Sequence, residues 1–265
     1  MLKGAIHVHS TYSDGEFTLP ELREIFLAGG CAFVCITDHA ESFTQRKLEN
    51  YISECEALSD NRFRFVPGLE FECTEKMHIL GYGVVSRVDT VEPQEVIRHI
   101  ESKGGVSVIA HPKSSAFAWI ERFRTLPKGI ETWNTKYDGR YAPRPSTFHL
   151  LMRLQQRNSE IRAFYGQDFH YKSQFHGLLT QAYTSILGFN EVLRSLAAGA
   201  YVGQRDDLVL PSSGIVPDRL LERFARVHWR YDPARNALHG LKNVVKRAGF
   251  QVPSAFMAQA RRFFL

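Results

Sequence analysis

The sequence predicts an α/β barrel. Short β-branched and aromatic runs alternate along the chain with helical patterns, and this alternation favours parallel strands joined by right-handed crossovers. At about 30 residues for each strand and its helix, roughly the first 200 residues provide about seven such units. Seven units fit a closed barrel better than a small open sheet.

The elements follow one another from the N-terminus. Runs rich in Val, Ile, Phe and Tyr predict strands at residues 4–9, 32–37, 63–73, 78–85, 106–110, 129–133, 162–166, 178–184 and 201–203. Helical patterns lie between them, at residues 19–28, 43–58, 92–103, 114–123, 147–157 and 190–198. Thr18 and Glu21 form a predicted capping box at the start of the first helix, and Gly29 and Gly30 end it.

Composition excludes several classes of protein. The chain has 265 residues, 44% of them apolar and 23% charged, as in ordinary globular proteins. It contains no apolar run near the roughly 18 residues of a membrane helix, and its first residues lack a signal-peptide pattern. The four cysteines form no CxxC pair of the kind found in zinc ribbons. We therefore expect a cytoplasmic protein.

The charge is unevenly distributed, which suggests two parts. Net charge is +5 overall. Residues 218–265 contain ten Lys or Arg and three Asp or Glu, a net +7, which leaves −2 for the rest of the chain. We predict a barrel over residues 1–210 and a basic helical C-terminal segment over 211–265, which packs on the barrel or extends from it. Such a segment could also contact an anionic membrane surface or nucleic acid.

Histidines and carboxylates recur in short motifs. His7-Val8-His9 places two imidazoles on one face of a predicted strand, an arrangement that suits a metal ion. Asp168-Phe169-His170 does the same with a carboxylate and an imidazole. Further candidates follow strand ends or turns; they are Asp14, Asp38-His39, Glu70, His78 and His111. A barrel gathers its active site at the carboxyl ends of its strands, so these residues are expected to converge.

These motifs resemble those of the polymerase-and-histidinol-phosphatase (PHP) superfamily of metal-dependent phosphoesterases. The resemblance covers His7-x-His9, Ser13-Asp14-Gly15, Thr37-Asp38-His39, Gly68-x-Glu70, His78, Ala110-His111-Pro112 and Asp168-x-His170, in order, from residue 6 to about 183. It implies a distorted (β/α)7 barrel, with the C-terminal helical segment as an extension. It also implies two or three divalent ions, which could be manganese, zinc or iron.

The resemblance assigns ligands to each ion. The first would be bound by His7, His9, Glu70 and Asp168. The second would share Glu70 and add His78 and His111. The third would be bound by Asp14, His39 and His170. Asp38, on the opposite face of its strand, is expected to support a ligand rather than to be one.

Charge supports a phosphorylated substrate. Three carboxylates give the site a formal charge of −3, which three divalent ions reverse to +3. A hydroxide that bridges the ions leaves +2, which matches a phosphomonoester dianion. With two ions the sum is zero, and attraction would then require Lys or Arg side chains.

The implied mechanism is hydrolysis by a metal-bridging hydroxide, without a nucleophilic side chain. Candidate substrate contacts in nearby loops are Arg46, Lys113, Arg140 and Arg144. His176 is a candidate general acid, although a structural role is the alternative.

Three functions compete. The leading hypothesis is a phosphatase that acts on a small phosphomonoester. A nuclease or nucleotide phosphodiesterase would use the same metal site, and the basic C-terminal segment favours that alternative slightly. The third is an interaction module that keeps the barrel without catalysis; the complete ligand set argues against it.

Overall fold

The computed structural model describes residues 1–247, with side chains to residue 237. In this part of the chain one mixed sheet has the order β10-β9-β8-β1-β2-β3-β4-β5-β6-β7. Its strands are β1 Leu2–Val8, β2 Phe33–His39, β3 Arg64–Cys73, β4 Met77–Tyr82, β5 Val106–Ala110, β6 Gly129–Asn134, β7 Arg162–Gly166, β8 Leu179–Ala182, β9 Tyr201–Arg205 and β10 Leu208–Pro211.

Helices cover the outside of the sheet. They are α1 Leu19–Ala28, α2 Gln45–Ala57, α3 Pro93–Ser102, α4 Phe117–Ile120, α5 Pro145–Gln155, α6 Phe189–Ala197 and α7 Asp218–Arg247. The predicted capping box opens α1, where the Glu21 carboxylate accepts a hydrogen bond of 2.8 Å from the Thr18 backbone amide. Apolar side chains of the helices and strands share one buried core.

The sheet closes into a barrel because two segments share the edge of β1. Residues 2–4 of β1 pair with β8 in antiparallel register. Farther along, residues 167–169, which continue β7, pair with the second half of β1. Gln167 N donates to Ile6 O at 3.2 Å, Phe169 N to His7 O at 3.1 Å and His9 N to Phe169 O at 2.9 Å.

The predicted α/β barrel is confirmed, but uniformly parallel pairing is wrong. β1, β2 and β3 are parallel neighbours, as are β5, β6 and β7. β4 is antiparallel to both of its neighbours. The three-residue turn from β3 to β4 is too short for a crossover connection, so β4 must run opposite to β3. β8 and β9 are also antiparallel, and β10, which the sequence pattern did not reveal, forms a hairpin with β9.

The C-terminal helix α7 packs on the barrel beside α5 and the loop before it. Phe224 is buried, and its ring lies 6.3 Å from that of Phe148 on α5. The Arg144 guanidinium donates to both carboxylate oxygens of Asp232, at 2.9 and 3.1 Å. β10 crosses the predicted boundary at residue 210, and the two-part division stays a prediction. The basic pair Arg261-Arg262 lies outside the described residues.

Within residues 1–247, none of the helices is both long and apolar enough to cross a membrane.

Candidate metal centre

Nine side chains from the strand ends and the loops after them meet at one mouth of the barrel. They are the nine predicted ligands His7, His9, Asp14, His39, Glu70, His78, His111, Asp168 and His170. Most of them are buried, whereas the Asp14 side chain is 58% exposed. Parallel strands deliver residues distant in sequence to the same edge. The antiparallel strand β4 contributes His78 to this edge from its beginning rather than its end.

Glu70 lies at the centre, and its two carboxylate oxygens face different imidazoles. Oε1 lies 2.8 Å from His78 Nδ1, 3.3 Å from His111 Nε2 and 3.4 Å from His7 Nε2. Oε2 lies 3.2 Å from His9 Nε2 and 3.4 Å from His39 Nδ1. One carboxylate therefore joins the two halves of the cluster.

Two further carboxylates complete the cluster. Asp168 Oδ1 lies 3.2 Å from His170 Nδ1 and 3.6 Å from His9 Nε2. Asp14 Oδ1 lies 3.1 Å from His170 Nε2 and 3.6 Å from His39 Nε2. His170 thus stands between the buried carboxylate and the exposed one.

The backbone is strained at three of the nine residues. His7, His111 and Asp168 have φ angles of 60°, 28° and 50°, in a region that side chains other than glycine rarely adopt. At His7 the strain coincides with a break in the register between β1 and β2. Such conformations persist where surrounding contacts enforce them, and they concentrate at functional sites.

Asp38 supports the loop after β1. Its carboxylate accepts hydrogen bonds from Ser10 N at 2.8 Å, from Ser10 Oγ at 2.7 Å and from Ser13 Oγ at 2.6 Å. The loop held in this way carries His9 and Asp14. A supporting position is what the sequence predicted for Asp38.

Glu131 on β6 was not among the residues predicted from the sequence. Its Oε1 lies 2.8 Å from His7 Nδ1, and its Oε2 accepts bonds of 2.8 Å from the His111 backbone amide and from Asn134 Nδ2. A Cβ atom at Gly166 would overlap this carboxylate, so the neighbouring strand needs glycine there. The one available signal was an acidic residue within the otherwise uncharged strand Gly-Ile-Glu-Thr-Trp-Asn.

Lys136 and Tyr137, in the loop after β6, were also missed. Lys136 Nζ lies 3.0 Å from Asp168 Oδ1 and 3.4 Å from each ring nitrogen of His170. The Tyr137 ring centroid lies 4.3 Å from that of His111. The sequence of a loop does not indicate the direction in which a charged side chain points.

Opposite charges set the protonation of the cluster. Burial alone would raise the pKa of Glu70, but the imidazoles of His7, His111 and His78 hold it well below its usual range. The pKa of Asp168 is lowered in the same way, despite its burial, by His7 and Lys136. These carboxylates are therefore anionic at neutral pH.

The donor set fits metal ions. His7 Nε2 and His9 Nε2 are buried and have no hydrogen-bond partner, which is costly unless another ligand binds them. Ligand atoms within 4.8 Å of one another form four groups. Two atoms each about 2.1 Å from one ion are separated by roughly 3 to 4.2 Å, so these spacings suit ion binding.

The groups differ in part from the predicted ligand sets. They are His9-Asp14-His39-His170, His7-His9-Asp168, His7-Glu70-His111 and His39-Glu70-His78. His9 joins the group predicted for the third ion, and His39 joins Glu70 and His78. His9 Nδ1 lies 3.6 Å from Asp14 Oδ1, and His39 Nδ1 lies 3.4 Å from Glu70 Oε2. The assignment of each ion to its ligands stays a prediction.

The predicted substrate contacts lie in different environments. Arg46 is exposed in the first turn of α2, and Lys113 is exposed in a cleft of about 300 Å³ that His111 also lines. Arg140 donates to the Tyr141 hydroxyl at 2.6 Å. Arg144 pairs with Asp138 at 3.4 Å, and it also pairs with Asp232, a contact that fixes α7 on the barrel.

His176 lies between basic groups. Burial, together with the nearby charges of Arg205 and Arg140, lowers its pKa to about 4. At neutral pH its imidazole is uncharged, which disfavours the role of general acid.

Part of the chain is similar to part of a known protein. No family model matches the chain. A region of 134 residues, 42% of the chain, is 31% identical to the DNA polymerase/3'-5' exonuclease PolX of Bacillus subtilis (strain 168). The match spans 23% of that protein's length.

Solved structures share the fold. A two-domain protein from Bacteroides vulgatus, which contains a predicted PHP-like metal-dependent phosphoesterase, matches with a TM-score of 0.56 and 16% identity over 85% of this chain and 69% of its own. PsfC from Pseudomonas syringae matches with a TM-score of 0.50 and 12% identity over 86% of this chain and 98% of its own. The predicted resemblance to PHP proteins is thus confirmed in the fold.

Proposed function

We propose that this chain, whose barrel has the fold of PHP-like proteins, is a metal-dependent phosphoesterase that hydrolyses a small phosphomonoester at a site for three divalent ions. The observation that carries the proposal is the position of Glu70. One buried carboxylate faces three imidazoles through Oε1 and two through Oε2. A bridging carboxylate between two sets of imidazoles is typical of multinuclear metal sites.

Divalent ions at these positions would supply an acidified water and would neutralise negative charge on the phosphoryl oxygens. The side chains of this chain have the remaining tasks. Glu131, by binding His7 Nδ1, leaves Nε2 of the same ring directed toward Glu70. Asp38 holds the loop that carries His9 and Asp14. The buried walls of the barrel keep bulk water from the inner side of the cluster.

The alternative function is that of a nuclease or nucleotide phosphodiesterase. The observation that favours it is the 31% identity over 134 residues with a protein named as a DNA polymerase and 3'-5' exonuclease. A phosphodiester carries one negative charge fewer at the reacting phosphorus than a monoester dianion does. The same ligand cluster could serve either substrate, and the pocket loops would choose between them.

The two candidates are separated by their substrates. Purified protein with added manganese would be assayed on p-nitrophenyl phosphate, on bis-p-nitrophenyl phosphate and on single-stranded DNA. We expect turnover of the monoester. Turnover of the diester alone would overturn the phosphatase proposal, and cleavage of DNA would establish the nuclease.

His9→Ala tests the site itself. Since His9 contacts all three carboxylates of the predicted ligand set, we expect loss of bound metal and of activity with an unchanged circular dichroism spectrum. His149→Ala, at an exposed position on α5, is the matched control. A wild-type protein that binds manganese but hydrolyses no phosphoester would favour the interaction module.

A further inference from the structure

We infer that Lys136 binds the phosphoryl group of the substrate, an inference that rests on the proposed function. It would be a substrate-binding residue supplied by the loop after β6. Its ammonium group adds a positive charge to the site that the sequence motifs of the predicted ligands do not indicate. The ligand it would take is a terminal phosphate with two negative charges.

The position of the ammonium group is the first support. Nζ lies 3.0 Å from Asp168 Oδ1 and 3.4 Å from both ring nitrogens of His170. Among the described residues, Lys136 is the one Lys or Arg that forms an ion pair with any of the nine predicted ligands. A phosphoryl group that bridges ions in this cluster would lie within reach of its Nζ.

Accessibility is the second support. The Lys136 side chain is 30% exposed, whereas the Asp168 side chain beside it is 3% exposed. The lysine therefore lies on the solvent side of the cluster, from which a substrate must arrive. A lysine whose single task was to neutralise Asp168 would need no such access to solvent.

The third support is charge. Glu131 adds a fourth carboxylate to the three counted from the sequence, and this removes one positive charge from the metal-loaded site. Lys136 restores that charge. It does so at the mouth, next to the place where the dianion would bind, and an ammonium group is a common point-charge partner of phosphate.

The loop holds the lysine in position. Asn134 Oδ1 accepts hydrogen bonds from the backbone amides of Lys136 and Tyr137, at 3.1 and 3.2 Å. The Asn134 side chain in turn donates to Glu131 at 2.8 Å. From α7, Arg235 donates to the Tyr137 and Asp138 carbonyl oxygens, at 2.5 and 2.8 Å. The backbone that carries Lys136 is thus fixed both from the cluster and from α7.

The test uses Lys136→Met, Lys136→Gln and Lys136→Arg in the full-length protein. Lys128→Met is the matched control, since Lys128 immediately precedes β6, whereas Lys136 follows the other end of that strand. Metal content would be measured by elemental analysis of manganese-loaded protein. Binding of inorganic phosphate to the same samples would be measured by titration calorimetry.

We expect Lys136→Met and Lys136→Gln to retain the wild-type metal content and to bind phosphate at least tenfold more weakly. Lys136→Arg should recover most of the affinity, and Lys128→Met should equal the wild type. Unchanged phosphate affinity in the Met and Gln variants would overturn the inference. So would loss of metal in both, because Lys136 would then serve the metal site alone.

Failure of the proposed function gives a different result. If manganese-loaded wild-type protein binds no phosphate and hydrolyses neither monoester nor diester, the phosphoesterase proposal falls, and the role of Lys136 falls with it. If the wild type hydrolyses p-nitrophenyl phosphate while the Met and Gln variants keep its phosphate affinity and its KM, only the inference about Lys136 fails.

Discussion

Glu131 Oε1 and His7 Nδ1 lie 2.8 Å apart, and both side chains are fully buried. Burial lowers the pKa of His7, but the carboxylates of Glu131, Asp168 and Glu70 raise it well above its ordinary value. In the absence of metal the protonated ring donates from Nδ1 to Glu131. A metal ion at Nε2 would require the neutral tautomer that keeps its proton on Nδ1, where Glu131 accepts it. A carboxylate in this position fixes the orientation and the tautomer of an imidazole that binds a metal.

Glu131→Gln should weaken metal binding without unfolding the barrel. The amide can still accept a bond from the His111 backbone, but it no longer provides a charged acceptor for His7. Loss of such a partner lowers metal affinity by about 10- to 100-fold. Competition with a fluorescent chelator would measure the change. Glu121→Gln, which alters a surface pair with Arg153, is the control; equal affinities in the two variants would contradict the expectation.

Asp38→Asn should affect one part of the cluster more than the rest. Two serine hydroxyls donate to the charged carboxylate, and hydrogen bonds of this kind contribute about 1.5 to 3 kcal/mol each. The loop that carries Asp14 would be less well fixed. We expect fewer ions per chain than in the wild type, with the barrel still folded, by elemental analysis and circular dichroism. Asp206→Asn, at an exposed turn, should keep the wild-type metal content.

His176 should make stability depend on pH. Burial, with Arg205 and Arg140 nearby, lowers its pKa to about 4, below its ordinary value of 6.5. As the pH falls below 6.5, His176 becomes protonated in the unfolded chain but stays neutral in the folded protein. The free energy of unfolding therefore decreases between pH 6.5 and about pH 4. Between pH 7.5 and 5 this loss is about 2 kcal/mol.

His176→Gln removes that contribution. Urea unfolding of chelator-treated wild type and variant, at both pH values, would show a smaller loss of stability in the variant. Equal losses would mean that His176 is protonated as easily in the fold as in the unfolded chain.

Arg235→Ala should remove the contacts by which α7 holds the loop after β6. Arg235 is buried, and it donates to two carbonyl oxygens of that loop. Loss of these bonds should lower the melting temperature by a few degrees, since about 1 kcal/mol corresponds to roughly 2 to 4 °C in a chain of this size. It should also raise KM for p-nitrophenyl phosphate more than it lowers kcat. Asn236→Ala, its exposed neighbour on α7, should leave both quantities unchanged.

Short motifs made the cluster predictable. The pairs His7 and His9, and Asp168 and His170, are recognisable because two side chains that are able to coordinate a metal lie two residues apart at a strand end. Strand ends meet at one face of a barrel, so their meeting follows from the fold class.

Glu131 and Lys136 were not predictable on these grounds. Glu131 is a single carboxylate that acts through hydrogen bonds. Such a role requires no fixed distance in sequence between Glu131 and its partners, so no motif reveals it. The position of Lys136 Nζ depends on a loop held by Asn134 and by α7. The antiparallel direction of β4 could have been inferred, since a short turn at residues 74–76 cannot return a strand in parallel.

The segment that completes the barrel consists of residues 167–169, and Asp168 is its middle residue. Pairing of this segment with β1 therefore both closes the barrel and places Asp168 among the predicted ligands. In a chain whose residues 167–169 are not paired with β1, Asp168 and His170 would be out of place, and we expect metal binding to be weak. Ions bound between Asp168 and the predicted ligands on β1 would hold this segment in place, so metal-loaded protein should resist proteolysis at residues 167–175 longer than metal-free protein does.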